Sequence, residues 1–125
     1  MIGILIAEVE PEIAEKLKPH LDEAEFKIIS TSDGESALKL IAAESPALVV
    51  VDTTLCRLEG LELLGRLRTR RMTMNLPVIV VTSRMDNQPH EEAIQLQAND
   101  YFIKPIDPGK LAADIRKILK IPMAA

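Results

Sequence analysis

Four polar residues each close a short apolar run in this chain. Glu8 follows the run 2–7, Asp52 follows Leu48-Val49-Val50-Val51, Thr82 follows 78–81, and Lys104 follows 101–103. Together they supply two carboxylates, a hydroxyl and an ammonium. A carboxylate can act as a nucleophile or a ligand for a hard cation, and a hydroxyl and an ammonium can donate to an anion. Residue type alone leaves a plainer reading open, since an Asp after a strand can simply cap a turn. The choice depends on whether one fold brings the four together.

The runs themselves argue that it does. Leu48 to Val51 is continuous, mostly β-branched and apolar, as expected of a strand covered on both faces of a parallel sheet. A residue closing such a strand lies at the sheet's carboxyl edge, where open α/β sheets place their chemistry. If all four strands are parallel, all four polar residues share one rim.

Between the strands the pattern changes to helical. Pro11 and its neighbouring glutamates suit a helix start, and Ile13, Leu17 and Leu21 mark one helical face. Pro19 falls inside that face and should kink or shorten the helix. A second strand is expected at 26–30 and a turn at Asp33-Gly34. A helix from Ala37 through Ile41 to about Glu44 follows, broken by Ser45-Pro46. Leu61, Leu64 and Leu67 mark a third helix, and a thinly apolar fourth is expected over 89–98. Asp107 as N-cap and Pro108 at the first position open the last helix, which carries Leu111, Ile115, Ile118 and Leu119 and is stopped by Pro122. Five β-α units in strict alternation predict a parallel sheet with helices on both faces.

The chain has 125 residues, suited to one domain with one core, expected over 1–120 with a short tail at 121–125. Aromatics are only 2%, so Val, Ile, Leu and Ala must build that core. The net charge of −4 gives no general reason to expect a nucleic-acid partner. The single cysteine, Cys56, excludes an intramolecular disulfide, and no apolar run approaches bilayer length. A cytoplasmic protein without membrane association is expected.

With these residues in place, the chain resembles a receiver domain of the bacterial response-regulator family. The resemblance runs from Ile4 to about Leu119 and rests on five ordered blocks. They are Ile4-Leu5-Ile6-Ala7-Glu8-Val9-Glu10, Leu48-Val49-Val50-Val51-Asp52, Leu58-Glu59-Gly60-Leu61-Glu62-Leu63-Leu64, Leu76-Pro77-Val78-Ile79-Val80-Val81-Thr82 and Asp100-Tyr101-Phe102-Ile103-Lys104-Pro105. The resemblance implies a doubly wound, flavodoxin-like (βα)5 sandwich with strand order 2-1-3-4-5. It implies that Asp52 accepts a phosphoryl group, with Thr82 and Lys104 binding it, and that Thr82 and Tyr101 act as the switch pair. It also implies a cis Lys104-Pro105 peptide. The implied cofactor is Mg2+, held by Glu8, Asp52 and the backbone carbonyl of Thr54. The implied partners are a histidine kinase or phosphotransfer protein, and a downstream protein bound through the face of helix four, strand five and helix five.

Three positions depart from the family pattern. Val9 stands where the direct acidic metal ligand is expected, and Glu10 comes one position late, so weak Mg2+ binding is expected. Cys56 stands where proline is frequent. Gln97 stands where glycine is frequent, at a position suited to positive φ. Other features receive plainer readings. Arg66, Arg68, Arg70 and Arg71 are read as a solvated cluster at a helix end. His20 and His90 lack metal-like spacing, Cys56 has no activating neighbour in sequence, and Asp33-Gly34 is read as a turn only.

Catalytic alternatives fare worse on chemistry. A dehalogenase-type phosphohydrolase needs a second Asp two positions after the first, where this chain has Thr54. A flavodoxin needs a hydroxyl-rich phosphate loop where this chain has Glu8-Val9-Glu10, and there is no Gly-rich P-loop. No enzyme is expected. The remaining alternative is a degenerate receiver that binds a partner without being phosphorylated.

Overall fold

The computed structural model describes residues 1–55, 58–83 and 88–122, with the side chains of residues 88–90 left aside. Cys56 and the side chain of His90 therefore lie outside the described residues. Five strands form one parallel sheet: β1 (Ile2–Ala7), β2 (Phe26–Thr31), β3 (Leu48–Asp52), β4 (Val78–Thr82) and β5 (Asp100–Ile103). Their order is β2-β1-β3-β4-β5, as the family resemblance implies. The helices are α1 (Glu12–Leu17), α2 (Gly34–Glu44), α3 (Gly60–Arg68), α4 (Gln88–Gln95) and α5 (Pro108–Leu119).

The sheet is apolar on both faces because both are covered. Ile4, Ile6, Val50, Ile79 and Val81 pack with α1 and α5 residues such as Leu17, Leu111 and Ile115. Leu5, Val49, Val51, Val78 and Val80 pack with Ala37, Ile41, Leu64, Leu67 and Ala93 on the other side. The two-residue alternation of the strands sends neighbouring side chains to opposite layers.

Pro19 shortens α1 as expected, and a 3-10 turn over Lys18–His20 carries the chain on to buried Leu21. Two expectations need correction. Asp33-Gly34 is more than a turn, because the Asp33 carboxylate caps α2, accepting from Ser36 N at 2.7 Å and Ser36 Oγ at 3.1 Å. The fourth helix ends at Gln95, short of residue 98. Ala98 N donates to the Ala93 carbonyl at 2.8 Å and Gln97 N to the Ile94 carbonyl at 3.0 Å. Gln97 itself has φ 62. This pairing is a Schellman closure with Gln97 at the left-handed position that usually takes glycine.

Candidate functional site

The strand register fixes where the four polar residues stand. Ala7 pairs with Val51, Asp52 with Val81, and Thr82 with Ile103. Glu8, Asp52, Thr82 and Lys104 therefore gather at the carboxyl rim. A cleft of about 290 Å³ opens there, lined by Glu8, Val9, Glu10, Asp52, Thr54 and Lys104.

Asp52 is buried to 4% exposure. Its Oδ1 accepts from Thr54 N at 3.0 Å, and its Oδ2 forms a hydrogen-bonded ion pair with Lys104 Nζ. Two charge-favouring contacts stabilise a carboxylate in a place where burial alone would penalise it. Lys104 is positioned by its own backbone, whose N–H donates to the Thr82 carbonyl at 2.8 Å. The Lys104–Pro105 peptide is cis.

Thr82 is fully buried, and its Oγ1 accepts from Thr53 Oγ1 at 2.9 Å. Thr53 was missed in the sequence, because its place beside Thr82 depends on the β3–β4 register, in which Asp52 pairs with Val81. Gly60 is the other missed contributor. A Cβ there would lie 2.2 Å from the Asp52 carbonyl oxygen, so the amino end of α3 approaches the Asp52 backbone only through glycine.

Glu8 stands beside Asp52 but faces elsewhere. Its Oε1 accepts from Ile13 N and its Oε2 from Ala14 N, each at 2.9 Å. The carboxylate thus satisfies donors in the first turn of α1. Burial raises its pKa above the ordinary value, countered by those two amides and by Lys104. Val9, next along, is 45% exposed and offers no donor atom.

The divalent cation of receiver domains fits this set poorly. Both Glu8 oxygens are engaged by α1, Asp52 is paired to Lys104, and Val9 cannot ligate. Among the described residues no three His, Cys, Asp or Glu side chains converge to hold a metal ion. The structure gives Glu8 a capping role where the family pattern implied a ligand.

Tyr101 on β5 is half-buried and packs against the layer formed by α2, α3 and α4. On α4, Ile94 is 64% exposed. The arginine cluster is not uniformly solvated. Arg68 reaches back to the Leu76 carbonyl at 2.8 Å and the Gln97 carbonyl at 3.0 Å, tying α3 to the turn after α4.

Comparison with known proteins agrees with this geometry. The sequence model of the response regulator receiver domain matches residues 4–116. The chain is 32% identical over 117 residues to the alkaline phosphatase synthesis transcriptional regulatory protein PhoP of Bacillus subtilis, covering 94% of this chain and 48% of that protein. It is 30% identical over 125 residues to the transcriptional regulatory protein KdpE of Mycobacterium tuberculosis, covering 100% of this chain and 54% of that one. The chain thus spans about half the length of the curated relatives it matches. Among solved structures, the signal receiver domain of a histidine kinase from Syntrophus aciditrophicus superposes with TM-score 0.85 at 26% identity, covering 96% of this chain and 91% of that one. A receiver domain of a Francisella response regulator superposes with TM-score 0.84 at 26% identity, covering 96% and 98%. With the family model matching residues 4–116 of the 125, and with the doubly wound fold and rim residues in place, this chain belongs to the response-regulator receiver-domain family.

Proposed function

We propose that this chain takes a phosphoryl group onto the Asp52 carboxylate from a histidine kinase or phosphotransfer protein. The observation that carries this reading is the meeting of Asp52, Lys104 and Thr82 at one rim, with the carboxylate opening into the cleft. In the transfer, an Asp52 oxygen forms the new P–O bond as the bond to the donor's leaving group breaks. Such transfers depend mainly on positioning and charge compensation. Lys104 pairs with the resting carboxylate and is in reach of the incoming phosphoryl oxygens, while the Thr82 hydroxyl is the neighbouring hydrogen-bonding group.

The phosphoryl group brings about −1.5 to −2 of charge, onto a rim already holding Glu8. With no free carboxylate at position 9, Mg2+ affinity is weak and labelling slow. The output passes to a protein partner through the α4–β5–α5 face, supported by the exposed Ile94 and by the position of Tyr101 between that face and the core.

Incubation with acetyl phosphate and Mg2+, read by intact mass, tests this function. One phosphoryl adduct is expected on the wild type and none on Asp52→Asn. Labelling of Asp52→Asn to the same extent contradicts it. A second reading is favoured by Glu8 being held by α1 and by Val9: a degenerate receiver that binds its partner without phosphorylation. Absence of any adduct on the wild type, alongside retained partner binding, supports that reading.

A further inference from the structure

At the amino end of the sheet, opposite the Asp52 rim, α2 and α3 end side by side. They leave a groove of about 460 Å³. Leu38, Ile41, Leu67 and Leu76 line it, and Ile41 and Leu67 belong to the buried core. Its floor is therefore apolar, a continuation of the core to the surface. Met72 stands at its edge and is 93% exposed.

The charge at this edge differs from the rest of the chain. The protein carries −4 overall, yet Arg66, Arg68, Arg70 and Arg71 lie within one short stretch. Two of the four are occupied. Arg66 lies 3.7 Å from Glu62, and Arg68 is held by backbone carbonyls of the following segments. Arg70 and Arg71 line the groove, and among the described residues neither forms an ion pair. Glu44, at the end of α2, faces Lys27 at 3.9 Å. Two guanidinium groups without carboxylate partners therefore flank an apolar slot.

We propose that this groove docks an acidic, amphipathic segment of a partner protein. An aliphatic side chain of the segment seats over Ile41 and Leu67, and its carboxylates meet Arg70 and Arg71. Guanidinium suits this task because its planar fork pairs with carboxylates. The slot supplies burial and the arginines supply orientation and charge selection. β3 spans roughly 15 Å at about 3.3 Å per residue, so the groove and the Asp52 cleft lie at opposite ends of the strand. Docking here leaves the Asp52 rim uncovered and is independent of its phosphorylation state.

The test is an amide NMR titration with an acetylated, amidated hexapeptide of alternating glutamate and leucine. Saturable shifts are expected at residues 38–46 and 67–76, with the same affinity in Asp52→Asn. The double variant Arg70→Glu/Arg71→Glu should bind about fivefold or more weakly, since two exposed ion pairs are lost. Both positions are exposed, and unchanged amide signals across the sheet verify the variant's fold. Raising salt should weaken binding to the wild type in the same direction. The proposal is overturned if no saturable shift occurs or if shifts centre on another face. It is equally overturned if a lysine-leucine peptide or a short DNA duplex binds as well, or if the charge reversal changes nothing.

Discussion

Asp52 and Lys104 form a hydrogen-bonded ion pair at the carboxyl rim, and the proposed phosphoryl transfer is built on that pair. A strand that buries its final carboxylate needs a compensating charge, and the lysine after β5 supplies it. In the proposed transfer, position 9 is where the charge balance falls short. Val9→Asp should tighten Mg2+ and speed labelling of Asp52, as read by calorimetry and by the rate of adduct formation. Unchanged Mg2+ affinity would mean that Glu8 leaves α1 to ligate, or that Glu10 already does so. Gly60 tests the support of the site. Gly60→Ala should destabilise the fold by at least about 2 kcal/mol in chemical denaturation, because its Cβ meets the Asp52 carbonyl. Asp52, Thr82 and Lys104 were legible in the sequence because each closes an apolar run. Glu8 was legible as a rim residue but not as a cap, because its partners, Ile13 N and Ala14 N, are backbone groups that residue types do not reveal.

At the scale of elements, two junctions control how α4 and α5 sit on β5. Gln97 occupies the left-handed position that closes α4, at φ 62. Gln97→Gly should stabilise the protein by about 0.5–1 kcal/mol, the relief of backbone strain less the added freedom of the unfolded chain. An unchanged denaturation midpoint would contradict this. On α5, Asp114 faces Asp100 at the start of β5. Burial, the hydrogen bond with Asp100 and its charge push the Asp114 carboxyl up to about 7, with Lys117 acting in the other direction. The native state therefore holds this proton more tightly than the unfolded chain. Its contribution to stability is complete at low pH and is lost as pH rises from the ordinary value of 3.8 to about 7. Melting temperatures at pH 5 and pH 8 should diverge less in Asp114→Asn than in the wild type, and equal divergence would refute the pairing. Periodicity revealed the helices, and Pro19 revealed the shortening of α1. The end of α4 was less visible, because the left-handed residue there is a glutamine and not the glycine that marks such closures. The anchoring of Arg68 is not legible in the sequence, because its partners at Leu76 and Gln97 are backbone carbonyls that residue types do not reveal.

For the molecule as a whole, the strict β-α alternation made the layered architecture legible, and covered strands with continuous apolar runs are its direct cause. Strand order came from the family resemblance and not from periodicity, because alternation alone does not say which strands are neighbours. The functional consequence is a division of labour. α1 is anchored to the rim through Glu8, whereas β5 is a half-buried edge strand and α4 exposes Ile94. Phosphorylation should therefore shift amide signals over residues 88–104 more than those of α1, and equal shifts throughout would count against the output face. All of this depends on the phosphoryl group residing on Asp52. An acyl phosphate is reduced by borohydride, so the modified aspartate is recovered as homoserine. After treatment with acetyl phosphate and Mg2+, peptide mapping should find homoserine at position 52 alone, and none without the phosphodonor. Homoserine at any other position, or none at position 52 in a folded and fully treated sample, would contradict the account.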